Sequence, residues 1–163
     1  KDLMTPMQTC MLTAAIANGG VMMEPRLLSR VADGNNRVKL TAGSRVYKTV
    51  LTAAESEIMQ NAMFDTVNHG TGRKAALESY QVGGKTATSE TLPRGTGRYI
   101  SSFLGFAPAD DPKVLALCII RNPQGVYYGG LVAAPVVREL FENILPYLDE
   151  IGYYEKNETI NRN

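Results

Sequence analysis

From Val114 to Ile120 every residue is apolar, in the order Val-Leu-Ala-Leu-Cys-Ile-Ile. Successive side chains of a strand alternate between its two faces, so a strand made from this run is apolar on both sides. It is therefore expected inside a sheet, with a second layer over it. The cover is encoded downstream. Val136, Val137, Leu140, Phe141, Ile144, Leu145 and Leu148 trace one wide apolar face of a helix that begins near Ala134 and Pro135. Two further β-prone runs come earlier, at 80–90 and 98–107, and Pro108-Ala109-Asp110-Asp111-Pro112 turns the second of them into the strand at 113–121. The expected architecture is α+β, helices covering an antiparallel sheet.

The N-terminal part is organised by two helix starts. Thr5 caps a helix with Pro6 in its first turn and Gln8 completing a Thr-x-x-Gln capping box; Met7, Cys10, Met11, Ala14 and Ala15 follow helical spacing, and Gly19-Gly20 ends it. An alanine-rich stripe of this kind reads as a closely packed core helix. A second capping box, Thr52 with Glu55, opens a helix whose apolar face carries Ile58, Met59, Ala62, Met63 and Val67, stopped by Asn68-His69-Gly70-Thr71-Gly72. Between the helices, Arg30-Val31-Ala32 and Arg37-Val38-Lys39-Leu40 flank Asp33-Gly34-Asn35-Asn36 as a hairpin, and 46–51 reads as another strand. His69, at the end of the second helix, reads as a surface cap favoured by the helix dipole, with proton transfer as the alternative.

Composition excludes several functions. The 163 residues suit one domain, and a net charge of +1 with 20% charged residues gives no basic patch for nucleic acid. No apolar run approaches the roughly 20 residues of a membrane span. Two cysteines, Cys10 and Cys118, fall in apolar runs and read as buried free thiols; with the single histidine they make no ligand cluster, so neither a metal nor a cofactor is expected. Lys1 opens neither a signal peptide nor a start-codon product, so the chain is expected to be a piece of a longer protein.

The stretch with chemistry is Val82-Gly83-Gly84-Lys85-Thr86-Ala87-Thr88-Ser89-Glu90. In a strand Thr86 and Thr88 share one face while Lys85 and Ala87 take the other. The glycines let a backbone or ligand come close, and a cation beside hydroxyls and open N–H groups suits a carboxylate and a developing oxyanion. The alternative is a solvated edge strand with an ordinary lysine. Residues 79–86 approximate the phosphate-binding pattern G-x-x-x-x-G-K-[ST], with Ser79 in place of the first glycine. A phosphate loop needs a helix directly after its lysine, and here the chain runs on in β-branched residues to Pro93 and Gly95, so nucleotide binding is rejected.

In this order the segments resemble the transpeptidase domain of penicillin-binding proteins. Thr5-Pro6-Met7-Gln8 leading to Ala15-Ile16-Ala17-Asn18-Gly19-Gly20 is similar to the helix after that family's second active-site motif. Asn68 to Ala75 is similar to the approach to the third motif, and Gly84-Lys85-Thr86-Ala87-Thr88 resembles the motif itself, Lys-Thr-Gly-Thr. Phe103 to Ala109, Asn122-Pro123, Tyr127-Tyr128-Gly129-Gly130 and Ala133-Ala134-Pro135-Val136 resemble its closing strands and last helix. The likeness covers about residues 4 to 150 and is nearest to the class B enzymes of division or sporulation septa. The first motif, Ser-x-x-Lys, is not in this chain: Ser29, Ser44, Ser56, Ser79, Ser89, Ser101 and Ser102 are followed three residues on by Ala32, Tyr47, Met59, Val82, Leu92, Leu104 and Gly105. No serine has asparagine two residues later, so the second motif, Ser-x-Asn, is missing as well.

The resemblance implies that residues 1–150 are the C-terminal part of a transpeptidase domain, followed by a polar tail at 151–163. The whole domain would cross-link peptidoglycan stem peptides ending in D-Ala-D-Ala through a serine acyl-enzyme, and β-lactams would trap that serine. Lys85 would supply charge near the substrate carboxylate and tune the proton relay. Thr86 and Thr88 would offer it hydroxyls, and the Thr88 N–H would be an oxyanion donor, with Gly84 and Ala87 completing the binding strand. Ala87 departs from the family's glycine, which implies tolerance with altered substrate or β-lactam preference. The chain alone would be inactive, and the sheet edge and apolar faces bared beside Val114–Ile120 and the Val136–Leu148 helix would pair with the missing N-terminal part or self-associate. The resemblance also implies a location outside the cytoplasmic membrane, with the anchor elsewhere. A non-catalytic β-lactam sensor or scaffold, a serine β-lactamase of the same fold and a stand-alone binding module are the alternatives, in that order.

Overall fold

The computed structural model describes residues 3–152. Its contacts divide the chain into two compact units, 1–59 and 60–163. The first holds helix α1 (Pro6–Ala17), strands β1 (Val21–Met23), β2 (Arg30–Ala32), β3 (Val38–Thr41) and β4 (Val46–Thr49), and the start of α2 (Ala53–Asn68). The second holds the rest of α2, strands β5 (Gly83–Glu90), β6 (Tyr99–Ala107) and β7 (Val114–Arg121), the one-turn α3 (Gly129–Val132) and α4 (Ala134–Glu150). The tail expected from 151 onward lies, beyond Gly152, outside the described residues.

Both capping boxes form. The Thr5 hydroxyl accepts from the Gln8 N–H at 3.2 Å while the Gln8 side chain accepts from the Thr5 N–H at 2.8 Å. Glu55 does the same for Thr52, accepting from its N–H and its hydroxyl, each at 2.8 Å. The two backbone bonds in each box satisfy N–H groups that the helix start would otherwise leave unpaired. The 30–41 hairpin also forms, Val31 opposite Leu40, with its turn tied by Asp33 accepting from the N–H groups of Asn35 and Arg37, each at 3.0 Å. Strand β4 pairs with β1, Val21 opposite Thr49.

The buried faces of the helices differ from the expected stripes. In α1, Thr13, Ala15 and Ile16 are buried, whereas Met7 and Ala14 are exposed. In α2 the buried line is Ser56, Met63 and Val67, and Ile58, Met59 and Ala62 are exposed. The reason is a polar contact that an apolar pattern misses: the buried Ser56 hydroxyl donates to the Ile16 carbonyl, so a small hydroxyl sits where α2 starts against α1. Cys10 and Cys118 are free and half-buried, and burial pushes both thiols up.

The β5–β6–β7 sheet is antiparallel throughout, with α4 on one face. Phe103, Ala107 and Ala116 meet Val137, Phe141 and Leu145 of α4, together with Val67, Ala75 and Val82. Fully burying a side chain such as Phe141 stabilises by about 1.5–3 kcal/mol. One expectation needs correction, since the strand expected at 80–90 starts at Gly83. Among the described strands β7 pairs with β6 alone, so the edge beside Val114–Ile120 is open here, as expected of a chain lacking further strands of the sheet. An all-apolar run reports that both faces are apolar but carries no information on which edges pair. In β7 the α4 face (Val114, Ala116, Cys118, Ile120) packs into the core, while Ile119 on the other face keeps 39% of its surface exposed.

Candidate active site

The Gly84–Thr88 stretch occupies the open edge of the second unit's sheet. Strand β5 is bonded to β6 on one side, Lys85 opposite Leu104 and Thr88 opposite Ser101, and among the described strands it has no partner on the other. Lys85 Nζ donates to the Thr86 carbonyl at 2.8 Å, so that carbonyl points away from β6. Antiparallel ladders alternate bonded and unbonded residues. The backbone N–H and C=O groups of Gly84, Thr86 and Thr88 therefore face outward along the open edge.

The side chains divide as their spacing requires. Lys85 and Ala87 are exposed and share one face; Thr86 and Thr88 share the other. The glycines answer to packing. A Cβ on Gly84 would lie 2.4 Å from the Phe103 ring, and one on Gly83 would lie 2.4 Å from the Phe106 ring. The close approach that their sequence implies is thus made by the aromatic rings of β6, and the start of β5 is pressed onto its neighbour.

Both threonine hydroxyls are held from behind. The Thr88 hydroxyl accepts from the Gly129 N–H at 3.0 Å, and the Thr86 hydroxyl lies 2.9 Å from that of Thr71. Such contact requires α3 to lie directly on backbone. A Cβ on Gly129 would stand 2.3 Å from the Ser102 carbonyl oxygen and 2.5 Å from that of Ala87; on Gly130 it would stand 2.2 Å from the Thr71 carbonyl oxygen. The approach to α3 is anchored as well. The buried Ser101 hydroxyl donates to the Tyr127 carbonyl, and the Tyr127 ring stacks on Tyr99 with centroids 4.0 Å apart. Tyr127 also holds the Tyr128 phenol above its ordinary range, through a hydrogen bond between the two side chains. Thr71, Gly129 and Gly130 lie in segments already marked by the resemblance, but their contacts span 15 and 41 residues of sequence, and no local pattern announces them.

His69 is not part of this arrangement. It sits just past α2, exposed, with Nδ1 3.4 Å from Asp65 one turn earlier, and its carbonyl accepts from Arg73 at 3.0 Å.

An open edge presenting backbone donors, a lysine beside them and two backed hydroxyls is an arrangement for binding an extended, anionic peptide end. Comparison with known proteins agrees with the resemblance. Residues 2–142 match the family described as the penicillin binding protein transpeptidase domain. Stage V sporulation protein D of Bacillus subtilis is 36% identical over 149 residues, covering 88% of this chain and 23% of that protein. Peptidoglycan D,D-transpeptidase FtsI of Escherichia coli K12 is 28% identical over 167 residues, covering 97% of this chain and 26% of its own length. The chain thus spans about a quarter of these relatives. Among solved structures, penicillin-binding protein A of M. tuberculosis as its imipenem acyl-enzyme complex superposes with a TM-score of 0.77 at 26% identity, covering 89% of this chain and 32% of that one. The motif-like strand, the order of the segments and the family match over 2–142 agree: this chain belongs to the penicillin-binding protein transpeptidase domain family.

Proposed function

We propose that this chain carries the substrate-binding edge of a peptidoglycan D,D-transpeptidase whose nucleophilic serine lies on a segment outside these 163 residues. The observation that carries the reading is the open β5 edge, its outward N–H groups lying beside the exposed Lys85. A stem peptide ending in D-Ala-D-Ala lies along this edge as an added strand. The serine oxygen attacks the penultimate D-alanine carbonyl, the Thr88 N–H stabilises the developing oxyanion, and the peptide bond breaks to leave an ester and free D-alanine. The amine of a second stem peptide then attacks the ester, forming the cross-link and returning the serine. Lys85 places its charge near the terminal carboxylate and takes part in the proton relay, and the hydroxyls of Thr86 and Thr88 hydrogen-bond that carboxylate. A β-lactam is bound in the same way and acylates the same serine.

By itself the chain is inactive in this reading. Among the described residues no helix is long and apolar enough to cross a membrane, and the proposed place of action is the outer face of the cytoplasmic membrane, with the anchor outside this chain. The test is labelling with a fluorescent penicillin. The complete protein that carries this chain should form a covalent adduct, the 163-residue chain alone should not, and Lys85→Ala should abolish the adduct. A complete protein that is folded but stays unlabelled would transfer the assignment to a non-catalytic scaffold.

A further inference from the structure

The two threonines are backed in comparable ways, and this has a chemical consequence. Thr88 Oγ1 accepts from a backbone N–H, that of Gly129, which can only donate. One of its lone pairs is thereby used, and its own proton is left to donate elsewhere. Thr86 Oγ1 is backed by a second hydroxyl, that of Thr71, at 2.9 Å, and either oxygen of that pair is able to donate.

We infer that Thr71 is a positioning residue that donates its hydroxyl proton to Thr86, so that the Thr86 proton, like that of Thr88, is turned toward an anionic group on the ligand. The inference rests on the proposed function, in which that group is a carboxylate. Thr71 is well placed to hold one direction. Its carbonyl oxygen is covered by Gly130, the next residue's N–H is bound to the Thr66 carbonyl at 2.9 Å, and Gly72 is buried against Phe103. A hydroxyl on a turn fixed at both ends keeps its bearing on Thr86. A donor chain of this kind also strengthens its last member, because an oxygen that accepts one hydrogen bond becomes a better donor in the next.

The test uses the complete transpeptidase that carries this chain, with Thr71→Val, Thr71→Ser, Thr86→Val and the Thr71→Val/Thr86→Val double variant. The readout is the second-order rate of acylation by benzylpenicillin and by its methyl ester, which lacks the free carboxylate. Thr71→Val should slow acylation by the acid about tenfold, the scale of a hydrogen bond to a charged group. It should leave the rate with the ester within about twofold. Thr71→Ser should restore the rate with the acid, and the double variant should be no slower than Thr86→Val, since Thr71 acts through Thr86. Equal losses with acid and ester would mark Thr71 as merely structural and overturn the inference. So would an unchanged rate with the acid, or additive losses in the double variant. A native protein that benzylpenicillin does not acylate at all fails at the earlier step and overturns the proposed function itself, which separates the two outcomes.

Discussion

The amide of Gly129 donates to the hydroxyl of Thr88 at 3.0 Å, joining the first turn of α3 to the open strand of the sheet 41 residues earlier. The bond forms only because residue 129 has no side chain, since a Cβ there would lie 2.3 Å from the Ser102 carbonyl oxygen. Gly129→Ala should therefore lift α3 off the sheet. Loss of about 1–3 kcal/mol is expected from the overpacking alone. Thermal melting of the complete protein would read it as a lower Tm, and penicillin acylation should slow with it. An alanine variant with native Tm and native acylation would show that α3 is free to shift without cost.

Phe141 is fully buried and packs into a core with Phe103, Val137 and Leu145. Phe141→Ala should cost about 3–5 kcal/mol through lost burial and the cavity left behind. The midpoint of denaturant unfolding should fall with little change in slope. A loss under about 1 kcal/mol would mean that the core collapses into the space.

Ala87 stands where the motif that this strand resembles, Lys-Thr-Gly-Thr, carries glycine, on the exposed face it shares with Lys85. Ala87→Gly should lower stability by about 0.5–1 kcal/mol, from the added freedom of the unfolded chain. Its effect on acylation should depend on the β-lactam, bulky ones gaining and small ones changing little. A uniform change across a panel would show that the methyl group shifts the strand and does not narrow the approach to it.

Acid should loosen the start of α2. Glu55 is held below its ordinary carboxyl range by the Thr52 N–H first and the Thr52 hydroxyl second. A carboxylate lowered by folding stabilises the fold above its unfolded value of about 4.5, and that contribution is lost as pH falls through the lower folded value. Protection of the Thr52 amide, its exchange taken against the intrinsic rate at each pH, should fall across that window, and Glu55→Gln should flatten the dependence. Protection that ignores pH there would show that the capping carboxylate does not shield this amide.

What could be read from the sequence was local. The Thr5–Gln8 and Thr52–Glu55 boxes, the 30–41 hairpin and the division of Lys85 and Ala87 from Thr86 and Thr88 all follow from spacings of two or three residues, and each is present. The misreadings came where distant segments decide. The buried line of α2 depends on Ser56 reaching Ile16, and the contact at Gly84 depends on a ring from Phe103. The candidate site was half legible. Its front, the lysine and threonine strand, is one contiguous motif. Its back, Thr71 and Gly129, is assembled by the fold from two glycine-containing segments that the resemblance marks but whose contacts with the strand no local pattern announces.

The bolted back and open front of β5 also bear on how such a protein changes over generations. Residues behind the strand are tied to several neighbours at once, so nearly every replacement there is penalised before ligand choice enters. Ala87 and Ser89 project the other way, beside Lys85, where the strand has room. In the proposed function Lys85 is held by its own role, so variation that alters which antibiotic or peptide is accepted should accumulate at Ala87 and Ser89, on a frame that stays still beneath them.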